Sequence, residues 1–335
     1  MNHQELYMAA LATTETATGY YNRNAGLDTP EGRVNVRIPL PGADVMDVRL
    51  WREEEVLAAV SPYVDHAPEL RHVSREPRFQ VQGFIDGRLL DGFSPRGSAV
   101  PDHVLDDVVG LLVQLTAIPS GKLPALPDGW PAPGDSTGFG RRLSALTRRI
   151  HTDHLAEYGE VFAAFGFPAD PLIGTEERWT ELTSRPFSAL HADLHRKNMI
   201  VSGGVTWFLD WELALWGDPA YELAIHLHKM DYPADQREAL VARWLRAMPT
   251  GCTVGWRRDM AAYLRHERLK SAVVDTVRYS KQLATPGTDP EFGAFLVSRL
   301  AKKVNAARRD WGVVSDVTTE DIRAGLRRGP THGSP

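Results

Sequence analysis

Three oxygen-bearing side chains lie close together in residues 191–212, HADLHRKNMIVSGGVTWFLDWE: Asp193, Asn198 and Asp210. The apolar runs NMIV and TWFL are separated by SGG, where glycine can take a positive φ, so the pattern predicts a β-hairpin. Adjacent strands lie about 5 Å apart, so Asn198 at the hairpin entrance and Asp210 at its exit can converge on one cation. Such a pair suits Mg²⁺, and Asp193 would then face a substrate hydroxyl, which is the arrangement of phosphoryl transfer.

The motif His191-x-Asp193-x-x-x-x-Asn198, followed by Asp210 and by GDPAYELA at 217–224, resembles the aminoglycoside phosphotransferase and choline kinase-like family. This family is the small-molecule branch of the protein-kinase-like fold. The resemblance implies that Asp193 is the catalytic base or orients the acceptor hydroxyl. It implies that Asn198 and Asp210 bind Mg²⁺ and that His191 braces the loop. It covers the C-terminal core firmly and the N-terminal lobe more loosely.

Asp218 precedes Pro219, a pair typical of a helix N-cap followed by proline at the first helical position. We therefore expect Asp218 to be structural. The family resemblance agrees, because the acidic residue at this position steadies the catalytic loop. Glu222 lies near the same helix start, where a negative charge favours the helix dipole, and this explanation suffices for it.

The predicted nucleotide contacts come from the N-terminal part of the chain. The segment TGYYNRN at 18–24 stands where the family's phosphate loop belongs, although an ordinary hairpin turn explains it as well. Arg37 occupies the position where the family has lysine, and Glu53 is its expected partner. An exposed Arg–Glu pair would contribute under about 1 kcal/mol to stability. We therefore expect a functional role for this pair only if it is buried beside a nucleotide. The resulting candidates for nucleotide binding are Asn22, Arg23, Asn24, Arg37, Glu53, Gln82 and Phe84, the last two in the inter-lobe hinge.

Three acidic residues, Asp231, Glu267 and Asp275, are candidate contacts for an amine-bearing acceptor, although a surface or helix-pairing role is the favoured explanation for each of them. The histidines around Asp193 also allow a metallohydrolase interpretation. Against it, His226 and His228 lie about 200° apart around a helix and cannot chelate one ion together.

The order of the elements predicts an α+β, bilobal protein-kinase-like fold with a small mixed β-sheet lobe and a larger, mainly helical lobe. The expected domains are a nucleotide-binding lobe over 1–88, a catalytic and substrate lobe over 89–326, and a disordered tail over 327–335. Strands are predicted within 19–40 and 78–86. Helices are predicted over 46–60, 104–118, 139–165, 175–183, 217–231, 234–248, 257–283 and 288–309, the last with a buried stripe of Phe292, Leu296, Leu300 and Val304.

Composition limits the class of protein. The chain has 335 residues with 43% hydrophobic and 24% charged residues, which is typical of a soluble globular protein. A net charge of −5 argues against nucleic-acid binding, which needs a basic face. One cysteine excludes an internal disulfide. No signal peptide or membrane span is evident, so we expect a cytoplasmic protein that is a monomer or weak dimer.

The sequence therefore predicts a small-molecule kinase that uses ATP, or alternatively GTP, together with Mg²⁺. The expected acceptor is a hydroxyl of an antibiotic. The first alternative is a metabolic kinase for a sugar, choline-like or amino-alcohol substrate. The second is a nucleotide-binding protein without catalysis, an alternative kept open by arginine at position 37.

Overall fold

The computed structural model describes residues 2–14, 16–18, 22–40 and 49–330. The chain forms two compact units. The first unit comprises Met1–Gly134 and Arg185–Val254, and the second comprises Asp135–Ser184 and Gly255–Pro335. The predicted domain limits at 88 and 326 stay a prediction, and residues 331–335 of the predicted tail lie outside the described residues.

A five-stranded antiparallel sheet opens the first unit, with strand order β1-β2-β3-β5-β4. Helix α1, which the sequence did not suggest, covers one face and buries Leu6 and Ala10 against the sheet. The strand–turn–strand prediction is confirmed by the β2–β3 hairpin. The elements are α1 (His3–Ala12), β1 (Thr16–Thr18), β2 (Asn22–Thr29), β3 (Gly32–Pro39), α2 (Glu53–Val60), β4 (Leu70–Arg75) and β5 (Arg78–Gly83).

Helix α2 is shorter than the predicted helix over 46–60. It begins at Glu53, and Val56, Leu57 and Val60 are buried as their spacing predicts. Trp51 is also buried but precedes the helix. Residues 46–48 of the prediction lie outside the described residues.

The predicted catalytic hairpin is present as β8 and β9, joined at Gly203 and Gly204 with φ of 58° and 83°. Two successive positive φ values belong to the tight turns that match the twist of a hairpin, which explains the glycine pair. A third strand, β6, pairs with β8, and β7 pairs with β10. The bounds are β6 (Arg88–Leu89), β7 (Ser188–Leu190), β8 (Met199–Ser202), β9 (Val205–Phe208) and β10 (Leu215–Gly217).

Helices of the first unit pack against the strands that hold the site: α4 contacts β7 and β9, and α8 contacts β7. Helix α4 buries the apolar face that its periodicity predicts. Helix α8 is buried on all sides over most of its length, which places it in the core. These helices are α3 (Leu90–Phe93), α4 (Asp102–Thr116), α8 (Pro219–Met230), α9 (Ala234–Ala247) and α10 (Thr250–Thr253).

The second unit is helical. The single helix predicted over 139–165 is two helices, because the first ends at Asp153 and the next begins at Leu155. Phe292, predicted to be buried, is 45% exposed, because it lies in the first turn of α12, whose buried residues begin only at Leu296. The elements are α5 (Ser136–Asp153), α6 (Leu155–Ala164), α7 (Glu176–Thr180), α11 (Trp256–Ala284), α12 (Pro290–Asp310) and α13 (Thr319–Leu326). Across the described ranges, no helix has the length and apolar character of a membrane span.

Candidate active site

The loop between β7 and β8 holds Asp193 and Asn198 against each other. The Asn198 amide donates from Nδ2 to Oδ2 and to the backbone oxygen of Asp193, at 3.0 Å each. Because a carboxylate can only accept, the atom of Asn198 that faces Asp193 is nitrogen. Its oxygen, Oδ1, is therefore the atom left for a cation. The loop also contains Ala192 with a φ of 58°, an uncommon conformation for a residue other than glycine.

The two ends of the hairpin are joined next to this loop. The backbone nitrogen of Leu209 donates to Asn198 O at 2.8 Å, so the residue that follows, Asp210, lies beside Asn198. His191 is fully buried, with its Nε2 3.0 Å from Leu209 O and its ring 4.5 Å from the ring of Trp211. Burial lowers the pKa of His191 to about 4, so the ring is neutral at pH 7. This geometry fits the bracing role predicted for His191.

Arg37 connects Asp210 to Glu53. One guanidinium nitrogen lies 2.8 Å from Asp210 Oδ1, and Nε lies 3.0 Å from Glu53 Oε2. The side chains of Arg37 and Glu53 are 7% and 5% exposed, so the pair meets the burial condition set by the sequence argument. Burial opposes the charge on Arg37, but the carboxylates around it raise its pKa above the ordinary value. Arg37 is therefore a permanent cation next to the predicted metal ligand.

Glu212, two residues after Asp210, is a functional candidate that sequence reasoning missed. It is buried and accepts a hydrogen bond from Asn22 Nδ2 at 3.1 Å. Burial and the neighbouring carboxylates of Asp210 and Glu53 raise its pKa to about 9, so it is neutral at pH 7. The only sequence signal was its spacing from Asp210.

A cavity of about 570 Å³ opens beside the Arg37–Glu53 pair. Three of the predicted nucleotide contacts, Asn22, Arg37 and Glu53, line it together with Glu212. Gln82 and Phe84 lie elsewhere along the sheet, at and just after the end of β5.

The other predicted nucleotide residues lie in and around the sheet. Arg23 donates to Thr13 O at 2.7 Å, so its guanidinium contacts the chain that follows α1. Asn24 lies opposite Arg37 in the β2–β3 ladder. The guanidinium carbon of Arg33 lies 4.3 Å from the centre of the Phe84 ring, in a cation–π contact. Residues 19–21 of the predicted phosphate loop lie outside the described residues, and the nucleotide contacts of Arg23, Asn24, Gln82 and Phe84 stay predictions.

Two residues of α8 contact the catalytic loop: Lys229, which sequence reasoning did not mention, and Glu222, for which it expected only a helix-dipole role. The Lys229 ammonium forms an ion pair with Asp193 Oδ1. Glu222 is buried and accepts a hydrogen bond from the Ala192 backbone nitrogen at 2.8 Å. Burial by itself would raise the pKa of Asp193, but Lys229 and His195 hold it well below its usual value. For Glu222 burial prevails and raises the pKa to about 7.

Asp218 caps α8 as predicted. Its Oδ1 accepts from the Ala220 backbone nitrogen at 2.9 Å, and both its oxygens bind the guanidinium of Arg185, at 2.8 and 2.7 Å. Asp218 and Arg185 side chains are fully buried. The structural role of Asp218 is thus visible in its contacts.

The candidate acceptor contacts belong to both units, Asp231 to the first and the other two to the second. Asp231 ends α8 with a φ of 52°, is 62% exposed, and lies 3.4 Å from Arg96. Glu267 and Asp275 are buried within α11 of the second unit, Glu267 2.6 Å from Lys270 Nζ and Asp275 paired with Arg278 and Lys303. These pairs match the helix-pairing alternative, and acceptor binding by the three residues stays a prediction.

Among the described residues, no group of three or more His, Cys, Asp or Glu side chains is arranged to hold a metal ion. His226 is buried, with Nδ1 3.1 Å from Leu194 O and Nε2 2.9 Å from the Tyr232 hydroxyl. Both ring nitrogens are thus occupied by protein groups. His226 is therefore not available as a zinc ligand, which argues against the metallohydrolase alternative.

The sequence profile of the phosphotransferase enzyme family matches residues 13–259. The chain belongs to this phosphotransferase family. The match includes the whole of the segment from His191 to Asp231 described above. No curated protein matches the chain.

Solved structures show the fold of this phosphotransferase-family chain. Choline kinase LicA from Streptococcus pneumoniae is 17% identical with a TM-score of 0.57, over 91% of this chain and 100% of the other. Macrolide 2′-phosphotransferase MphH from Brachybacterium faecium is 17% identical with a TM-score of 0.53, over 79% and 86%. A ternary complex of aminoglycoside phosphotransferase APH(4)-Ia with AMP-PNP and hygromycin B is 13% identical with a TM-score of 0.53, over 88% and 94%. The predicted α+β protein-kinase-like fold is confirmed.

Proposed function

We propose that this protein transfers the γ-phosphoryl group of ATP to a hydroxyl of a small molecule. One observation carries the proposal: Asp193 accepts a hydrogen bond from Asn198, the residue before Asp210 is hydrogen-bonded to Asn198 across the hairpin, and Asp210 contacts Arg37. A base, two oxygen ligands and a fixed cation are the parts that phosphoryl transfer requires.

In this proposal the residues act by positioning and by charge. Asp193 accepts a hydrogen bond from the acceptor hydroxyl and takes its proton as the new O–P bond forms and the bond to the β-phosphate oxygen breaks. Asn198 Oδ1 and Asp210 would hold Mg²⁺, which neutralises the phosphate oxygens when bound. Arg37 supplies a further fixed positive charge, and its contact with Asp210 orients that carboxylate.

The acceptor class we propose is an antibiotic, in a resistance or self-resistance role. Its support is that a macrolide phosphotransferase and a hygromycin B complex are among the structures with this fold. The similarity to a choline kinase favours the alternative of a metabolic amino-alcohol kinase. The proposal includes a cytoplasmic location, where ATP is available.

An ATP-consumption assay with Mg²⁺ over macrolides, aminoglycosides, choline, ethanolamine, homoserine and sugars separates these possibilities. We expect turnover with one acceptor class. Turnover with choline or ethanolamine and with none of the antibiotics would favour the metabolic alternative. ATP binding without turnover of any acceptor would indicate a nucleotide-binding protein without catalysis.

Replacing the proposed base tests the mechanism. Asp193→Asn should lower kcat about a hundredfold or more, because the amide cannot take the acceptor's proton. The melting temperature and circular dichroism spectrum serve as controls for folding. Near-full activity of Asp193→Asn with a genuine acceptor would show that the assigned role is wrong.

A further inference from the structure

Helix α8 contacts the catalytic loop through three side chains on one face. Glu222, His226 and Lys229 lie at positions i, i+4 and i+7, which share a face of a helix. Glu222 accepts from Ala192 N at 2.8 Å, and His226 Nδ1 lies 3.1 Å from Leu194 O. Between these two contacts, Lys229 reaches Asp193 and also lies 3.4 Å from Ala192 O.

The carboxylate of Asp193 is held on both oxygens. Lys229 binds Oδ1, while Asn198 donates to Oδ2 at 3.0 Å. His195 Nε2 lies 3.6 Å from the same Oδ2. Because each carboxylate oxygen has two lone pairs, either oxygen can still accept a hydrogen bond from a further donor. The carboxylate cannot rotate about its terminal bond without breaking one of these contacts.

We propose that Lys229 is a positioning residue for phosphoryl transfer, holding the Asp193 carboxylate in the orientation that receives the acceptor hydroxyl. This inference rests on the proposed function. Lys229 lies 36 residues after Asp193 and outside the family motif quoted above, and its pairing with the base follows from the geometry of α8.

Two features of the surroundings restrict the Lys229 ammonium. Its helix is anchored at the opposite end by Asp218, which is bound to buried Arg185. The Lys229 side chain is 24% exposed and that of Asp193 13%, so the ion pair is largely shielded from water. A pair of this kind restricts the carboxylate more than a surface pair would.

The test compares Lys229→Met and Lys229→Arg with Lys302→Met, which removes the same charge from an exposed position of α12. With the acceptor identified in the assay above, Lys229→Met should lower kcat about tenfold to a hundredfold, since small misplacements of reacting groups have effects of this size. KM for ATP should stay within about threefold of the wild-type value, because the nucleotide side is unchanged. Lys229→Arg should recover most of the loss, and Lys302→Met should match the wild type.

Chemical rescue separates positioning from packing. Lys229→Ala leaves space beside Asp193, and added methylammonium or ethylammonium should restore part of kcat, whereas tetramethylammonium at equal ionic strength should not. Wild-type kcat in Lys229→Met, or a loss that neither arginine nor the small amines recover, overturns the inference while leaving the proposed function standing. Failure of the wild-type protein to transfer phosphate to any acceptor rejects the proposed function, and the inference with it.

Discussion

At the scale of single residues, the proposed site depends on which buried groups keep their charge. Arg37 remains charged between Asp210 and Glu53, whereas Glu212 is held neutral in the same cluster. Glu222 lies between these cases, because its pKa of about 7 is close to physiological pH. The environment of each carboxyl, and not its residue type, decides its protonation.

Glu222 makes the stability of the protein depend on pH. Its pKa is about 7 in the folded protein against an ordinary 4.5, so the unfolded chain loses this proton first as pH rises. This group therefore lowers the free energy of unfolding as pH rises from about 4.5 to about 7, by up to about 3 kcal/mol. Glu222→Gln keeps an acceptor for Ala192 N and should remove that part of the pH dependence.

The measurement is the free energy of unfolding in urea between pH 4.5 and 8. Exposed Glu238→Gln in α9 is the matched control and should follow the wild-type curve. Parallel curves for Glu222→Gln and the wild type would contradict a raised pKa at this position.

At the scale of elements, α8 is the part of the fold that links the core to the catalytic loop. Its N-cap residue, Asp218, also forms an ion pair with Arg185. Near its other end, Lys229 contacts Asp193 of the catalytic loop. The helix is buried on all of its faces, so packing of the surrounding residues fixes its position. Loss of its first turn would therefore disturb the residues that contact Ala192 and Asp193.

Asp218→Asn tests this anchor. Asparagine can still cap the helix, but it leaves buried Arg185 without its compensating charge. We expect a loss of about 3–5 kcal/mol in the free energy of unfolding. The same change at exposed Asp289, which caps α12 by accepting from Phe292 N at 2.8 Å, should cost less than about 1 kcal/mol.

The comparison of these two variants by urea denaturation isolates the ion pair, since both keep an N-cap side chain. Equal losses at the two helices would mean that the Asp218–Arg185 pair contributes nothing beyond capping.

At the scale of the whole molecule, nucleotide binding should appear as a gain in stability. A ligand that binds only the folded protein at a hundredfold excess over its Kd adds about 2.7 kcal/mol, or roughly 3–6 °C in melting temperature for a chain of this size. We expect this shift with ATP and Mg²⁺ together, and a smaller one with ATP and EDTA. Asp210→Asn should lose the Mg²⁺-dependent part.

Exposed Asp235→Asn in α9 is the control for that measurement and should keep the wild-type shift. A full Mg²⁺-dependent shift in Asp210→Asn would argue against Asp210 as a metal ligand, without bearing on the assignment of Asp193.

The amino-acid sequence was sufficient for the local features of this protein. The turn glycines at 203 and 204, the cap at Asp218 and the helical periodicity of α4 are signals that act over a few residues, and each corresponds to the observed element. The spacing of Asp193, Asn198 and Asp210 around one hairpin also makes their approach a consequence of short-range geometry.

Only the tertiary structure decided which distant side chains share the site. Arg37 meets Asp210 across 173 residues, Asn22 meets Glu212 across 190, and Lys229 meets Asp193 across 36. These contacts, and with them the charge state of each buried group, follow from how the helices and sheets pack. Residue type and spacing are enough to predict a contact between side chains that are a few residues apart. A contact between distant residues depends on how their helices and strands pack together, because packing determines which side chains are buried side by side.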